Sequence, residues 1–102
     1  MTKQDFENAL RIKKEIVELK TVEDAGFQID KQHLKLLERQ LTGLKKQFDV
    51  AARNMENEVA TILYLHYLKA WPYRMIQKYQ YGCRYTESHP RKIANRFLEA
   101  NN

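Results

Sequence analysis

The stretch LKLLERQLTGLKKQFDVAARNM, Leu34–Met55, sets apolar residues at Leu34, Leu37, Leu41, Leu44, Phe48, Ala51 and Met55. The intervals run 3, 4, 3, 4, 3, 4, a heptad rhythm that keeps one seam of a helix facing a neighbouring helix. Asp30 stands just ahead, where its carboxylate can accept from the orphan amides of a first turn. The seam is therefore expected to be buried along its length, and Leu34, Leu37, Leu41, Leu44, Phe48 and Met55 are the expected core or oligomerisation residues.

The segment before it supplies a partner. Thr2 can cap a helix, with Asp5 three positions on as a loose capping box and Glu7 near the positive end of the dipole. Ala9, Ile12, Ile16 and Leu19 then recur at helical spacing, with Phe6, Leu10 and Val17 widening the stripe. Gly26 can take the left-handed conformation that ends such a helix, and Phe27 and Ile29 are expected to pack the connection. A connection of about five residues favours antiparallel neighbours, so residues 1–57 read as a coiled-coil-like helical hairpin. Two helices bury too little apolar surface alone. The seam should be finished by Val59–Lys69 and by a second copy of the chain, so a homodimer is expected.

Beyond Met55 the register slips: Val59 follows by another step of four, a stutter that unwinds a supercoil or marks a new helix. A break is expected at Asn54–Glu58. The next run, VATILYLHY (Val59–Tyr67), is apolar on more than one face and reads as a buried hub. Tyr64, Tyr67, Trp71 and Tyr79 are expected mainly in the core. Tyr73, Tyr81 and Tyr85 stand open between a core rim and stacking on a partner.

The remainder, AWPYRMIQKYQYGCRYTESHPRKIANRFLEANN (Ala70–Asn102), interrupts the helical pattern at Trp71-Pro72. Pro72 suits the first position of a helix. Tyr73–Tyr79 makes about two turns with Met75, Ile76 and Tyr79 inward, and Gly82 allows a sharp turn. A basic amphipathic segment, Arg91–Leu98, closes the chain. Helix, glycine turn and second basic helix form the outline of a helix-turn-helix, which lays its second helix in the DNA major groove. Pro90 would break that helix unless it lies in the first turn, with Ser88 as cap, His89 first and Pro90 second. The helix is then delayed and Cys83–Glu87 is an extended loop.

ILYLHYLKAW (Ile62–Trp71), YRMIQKY (Tyr73–Tyr79), YG (Tyr81-Gly82) and RKIANRFLEA (Arg91–Ala100) resemble, in that order, the sigma-region-4-like helix-turn-helix of phage late transcription regulators of the ArpU and RinA types. The resemblance covers roughly the last 45 residues and departs from the family pattern at Gly82, where a serine is usual, and at Pro90. It implies a small DNA-binding regulator working in the cytoplasm of a phage-infected or lysogenic bacterial host.

Charge agrees in direction. From Trp71 onward six basic residues (Arg74, Lys78, Arg84, Arg91, Lys92, Arg96) face two acidic ones, against twelve and eleven in the first 70 residues. Most of the net +5 thus lies at one end, a local field that attracts a polyanion. Those six cations are the expected DNA contacts.

Other chemistries find little footing. The N-terminus carries acids without an apolar core and does not read as a signal peptide, and no apolar run approaches the roughly 18 residues that span a bilayer. Cys83 is the single cysteine, so no intramolecular disulfide forms and a reducing cytosol fits. His33, His66, His89 and Cys83 have no zinc-type spacing, and His66 reads as a core or boundary residue. With no phosphate-binding loop or acid pair, no enzyme activity, metal or cofactor is expected. The whole is expected to be all-α, a hairpin (1–57) followed by a helix-turn-helix-like module (58–102). The alternative function is a helical interaction factor, a phage inhibitor or antirepressor meeting an acidic or nucleic-acid-handling protein.

Overall fold

In the computed structural model, which describes residues 1–82 and 84–101, every regular element is helical. Helix α1 (Lys3–Asp24) starts on the expected capping box. The Asp5 amide donates to Thr2 Oγ1 at 3.2 Å, and the Thr2 amide donates to the Asp5 carboxylate at 2.9 Å. It ends in a Schellman closure: Gly26 takes φ +96°, its amide donates to the Glu23 carbonyl, and the Phe27 amide reaches back to Val22. Helix α2 (Lys31–Ala52) begins with the Asp30 carboxylate accepting from the Gln32 and His33 amides, both at 3.1 Å.

The two helices run antiparallel. Phe6, early in α1, meets Phe48, late in α2, edge-on with centroids 6.1 Å apart. Nearer the connection Lys20 pairs with Glu38 at 4.0 Å, and His33 with Glu15 at 2.9 Å. The shared seam consists of Phe6, Ala9, Ile12 and Ile16 against Leu34, Leu37, Leu41 and Phe48, all buried. Leu44, Ala51 and Met55 are only half-buried, so the stripe is not covered along its whole length. Val17 lies outside the seam at 48% exposure. Phe27, expected to pack the connection, is 68% exposed: its backbone closes the Schellman turn while its ring stands in solvent. Ile29 packs against the core as expected.

The break after α2 falls at residues 53–56, and α3 (Asn57–Leu63) runs on into a π-helical turn (Tyr64–Leu68). Ile62, Leu63 and Leu68 are fully buried. The Tyr67 ring meets Phe6 at 5.5 Å, and Tyr64 meets Phe48 at 5.8 Å. A third helical segment therefore closes the hairpin seam within one chain, which meets by itself the requirement that pointed to a second copy.

The π turn ends in a wide closure. The Lys69 amide donates to Tyr64, the Trp71 amide donates to Leu65 at 2.9 Å, and Ala70 sits at φ 57°. The Trp71 bond spans one residue more than a Schellman closure of an α-helix. Left-handed backbone is uncommon for a residue with a Cβ. Here the turn redirects the chain into Pro72, which caps rather than opens α4 (Tyr73–Tyr81).

Helix α4 is rotated from the expected phase. Ile76 and Gln77 are buried, with Tyr73, Gln80 and Tyr81 half-buried beside them, while Met75 and Tyr79 face solvent. Gln77 is tolerated inside because its Nε2 donates to the Gly82 carbonyl, which satisfies part of a buried amide. Gly82 turns the chain at φ 63°, and Arg84–Glu87 form bends and a turn. Cys83 lies outside the described residues. Helix α5 (Ser88–Ala100) starts well after the Gly82 turn, as expected, but one residue ahead of the expected His89: Glu87 holds the cap position and Ser88 is the first helical residue. Pro90 falls third, in the first turn, where an amide would have no intrahelical acceptor, and is fully buried. Ala94 and Leu98 continue its inner face. One apolar cluster runs from Phe6 through Tyr67 and Ile76 to Leu98.

Candidate nucleic-acid interface

Helix α5 packs on α3 and α4 through Pro90, Ala94 and Leu98, with Ile93 and Phe97 half-buried together on one flank. The inner face of Pro90, Ala94 and Leu98 leaves Arg91, Lys92, Asn95, Arg96 and Glu99 exposed on the opposite arc. At 100° per residue these five fall within less than half a turn of the helix. Spacings of four, Arg91 to Asn95 and Lys92 to Arg96, set each pair one above the other. Asn95 was not among the expected contacts. Its signal was positional, since it lies between the cations on the solvent arc, and an asparagine amide can pair with an adenine edge.

All six expected cations are exposed, but they do not form one cluster. Arg84 and Lys92 line the same shallow concavity, about 430 Å³, with Tyr85, Thr86, Ser88 and His89. Its wall is an aromatic stack: Tyr85 lies on His89 with centroids 4.1 Å apart and planes at 14°, and Tyr81 meets both edge-on. Burial, with the Glu58 carboxylate nearby, pushes the Tyr81 phenol up to about 12. Arg91 is held by Glu87 at 3.8 Å and lies over the Tyr73 ring at 5.5 Å, so its guanidinium is positioned as well as charged. Arg96 lines a separate groove with Glu56, Glu58, Ile93 and Phe97. Arg74 and Lys78 stand one turn apart on the exposed side of α4.

Behind Arg91 the aromatic packing is dense. His66 stacks on Tyr73 with centroids 3.8 Å apart, and its Nδ1–H donates to the Trp71 carbonyl at 2.8 Å. Burial holds the imidazole below its ordinary pKa, Lys14 and Arg91 add to this, and the Trp71 bond opposes it. Burial likewise raises the Tyr67 and Tyr73 phenols. This network carries no ligand chemistry of its own: it fixes the π turn against the start of α4 and the first turn of α5.

Among the described residues no group of three or more His, Cys, Asp or Glu side chains is arranged to hold a metal ion, and no helix is long and apolar enough to cross a membrane. Comparison with protein-family models, curated proteins and solved structures finds no match. The likeness to phage late regulators thus rests on the residues quoted above alone.

Proposed function

We propose that the protein binds double-stranded DNA through the outward arc of α5, as the second helix of a helix-turn-helix-like module in a small phage-type transcription regulator. The observation that carries this reading is the arc Arg91, Lys92, Asn95 and Arg96, solvent-facing on a helix anchored by Pro90, Ala94 and Leu98. Cations on such an arc meet phosphates, while Asn and Arg can also form bidentate pairs with adenine and guanine edges. In this reading Arg91 and Lys92 hold the backbone, Asn95 and Arg96 reach base edges, and Arg74, Lys78 and Arg84 supply flanking phosphate contacts. The late start of α5 removes the objection raised by Pro90.

The test is a mobility-shift titration against fragments of the chain's own genomic neighbourhood at two salt concentrations. Binding should weaken with salt. Reversing Arg91 and Lys92 to Glu should flatten the log-affinity against log-salt slope by roughly 0.9 for each lost phosphate contact, with the helical circular dichroism unchanged because both side chains are exposed. A wild-type chain that binds no fragment at low salt overturns the reading.

A further inference from the structure

A second cationic and apolar surface lies where α4 meets the π turn, apart from the outward arc of α5. Ala60, Thr61 and Leu65 form the floor of an open recess of about 500 Å³, and Tyr64, Trp71 and Tyr79 form its walls. Trp71 and Tyr79 meet at right angles, 5.6 Å apart, giving an aromatic corner. Tyr79 is 68% exposed and Met75 42%. Within α4, Met75 and Tyr79 stand four residues apart, so the corner continues as an apolar edge along that helix. Among the described residues nothing covers this edge.

The charged residue that lines the recess is a cation. Lys69 lines the recess with its Nζ 5.9 Å from the centre of the Tyr64 ring, and no acid lines it. Arg74 and Lys78 are exposed on α4 and enter no ion pair among the described residues. On the hairpin side Lys13 lies close to Lys45, Lys20 and Lys69, with Glu38 the acid that opposes them. Partial burial and then those three neighbours hold its ammonium below the ordinary lysine value. Charge counted along the chain put nearly all the excess in the last third, yet folding brings Lys13 within electrostatic reach of Lys69, which lines the recess.

We infer that this recess is a docking site for an acidic amphipathic helix of a partner protein. Its large apolar side chains would enter between Tyr64, Trp71 and Tyr79, and its carboxylates would meet Lys69, Arg74 and Lys78. Charge complementarity selects this occupant, and the mode is a helix laid in a groove, with anchors three and four residues apart. The floor disfavours a nucleobase, because Ala60 and Leu65 bring no side-chain donor or acceptor for base edges and only the Thr61 hydroxyl does.

Trp71 is the single tryptophan of the chain, so its emission reports directly on the recess. The probe is a synthetic peptide of about 16 residues, roughly four helical turns, with Leu and Phe at spacings of three and four and Glu elsewhere. Titrated into the full chain it should shift Trp71 emission saturably, with affinity falling as salt rises. Tyr79→Ala and Lys69→Glu should each weaken it about tenfold, in the range of an interface anchor, with circular dichroism unchanged because both side chains are exposed. Arg91→Glu with Lys92→Glu should leave the peptide affinity as it was, so the result stands apart from DNA binding. The inference fails if the peptide gives no saturable change at millimolar concentration, or if its Glu→Lys counterpart binds equally. It fails too if an oligothymidine probe binds more tightly at the same residues, or if Trp71 emission changes with the concentration of the chain alone.

Discussion

Phe6 is the residue through which the hairpin and the C-terminal third share a core. Its ring is 1% exposed and meets Phe48 of α2 edge-on at 6.1 Å and Tyr67 of the π turn at 5.5 Å. Truncation to Ala removes a fully buried ring and leaves a cavity, which costs about 3–5 kcal/mol in such sites. Within that cost, each aromatic edge contact contributes about 0.5–1.5 kcal/mol beyond area burial. A chain of 102 residues has an unfolding free energy of roughly 5–15 kcal/mol, so Phe6→Ala should remove a large part of it. At about 5 °C per kcal/mol for a domain of this size, Tm should fall on the order of 15–25 °C. The assay is thermal and urea unfolding followed by two probes: far-UV circular dichroism, weighted toward the long helices α1 and α2, and Trp71 fluorescence, which reports the junction of the π turn and α4. A shared core requires the two transitions to coincide and to move together in Phe6→Ala. If the dichroism transition moves while the Trp71 transition stays in place, the hairpin and the C-terminal third unfold independently and the reasoning is wrong.

Further outcomes follow from single positions. Ala70 at φ 57° should tolerate Gly with little change in stability, because relief of the left-handed cost of roughly 1–2 kcal/mol offsets the added unfolded-state entropy. Ala70→Val should lower Tm clearly, and a Val variant as stable as the Gly one would contradict the turn. Leu41→Asp places a carboxylate in the buried seam and should cost several kcal/mol, read as a fall in the urea midpoint. The folded-state pKa of His66 is held below its ordinary value, so the unfolded chain binds the proton more readily. Its contribution to stability is complete above pH about 6.5 and is lost as pH falls below that value toward the folded pKa. His66→Asn, which keeps a donor for the Trp71 carbonyl, should abolish that part of the slope in urea unfolding between pH 7 and 5. Arg96→Ala should weaken DNA binding without altering Tm, checked by mobility shift beside a melting curve.

The hairpin was legible in the sequence because its signals are local and repeated. Thr2 with Asp5, Gly26 and Asp30 each act on backbone groups within one turn, and the heptad seam needs only a facing helix to be buried. The delayed start of α5 was legible for the same reason: a proline has few positions open to it in a helix, all in the first turn. The cationic residues of α5 also stood out, since a helical wheel separates Arg91, Lys92 and Arg96 from Ala94 and Leu98.

Tertiary packing decided the rest. Helix α4 has nine residues with apolar side chains on both flanks, so its own amphipathicity does not choose between Met75 with Tyr79 and Tyr73 with Gln77 as the inner arc. The choice falls to contacts with the π turn and α5 and to the hydrogen bond from Gln77 to Gly82. The π turn and left-handed Ala70 had no local signature either, because they arise where Tyr67 and Leu68 must reach the hairpin core and the next helix must still fold back. Grouping of the cations was equally hidden: Lys13 and Lys69 lie far apart along the chain and become neighbours only when α3 and the π turn close the seam. Caps, periods and turns depend on bonds between near neighbours, and the sequence displays those directly. The phase of a short helix about its axis and the company its side chains keep depend on contacts between distant segments, and these exist only in the folded chain.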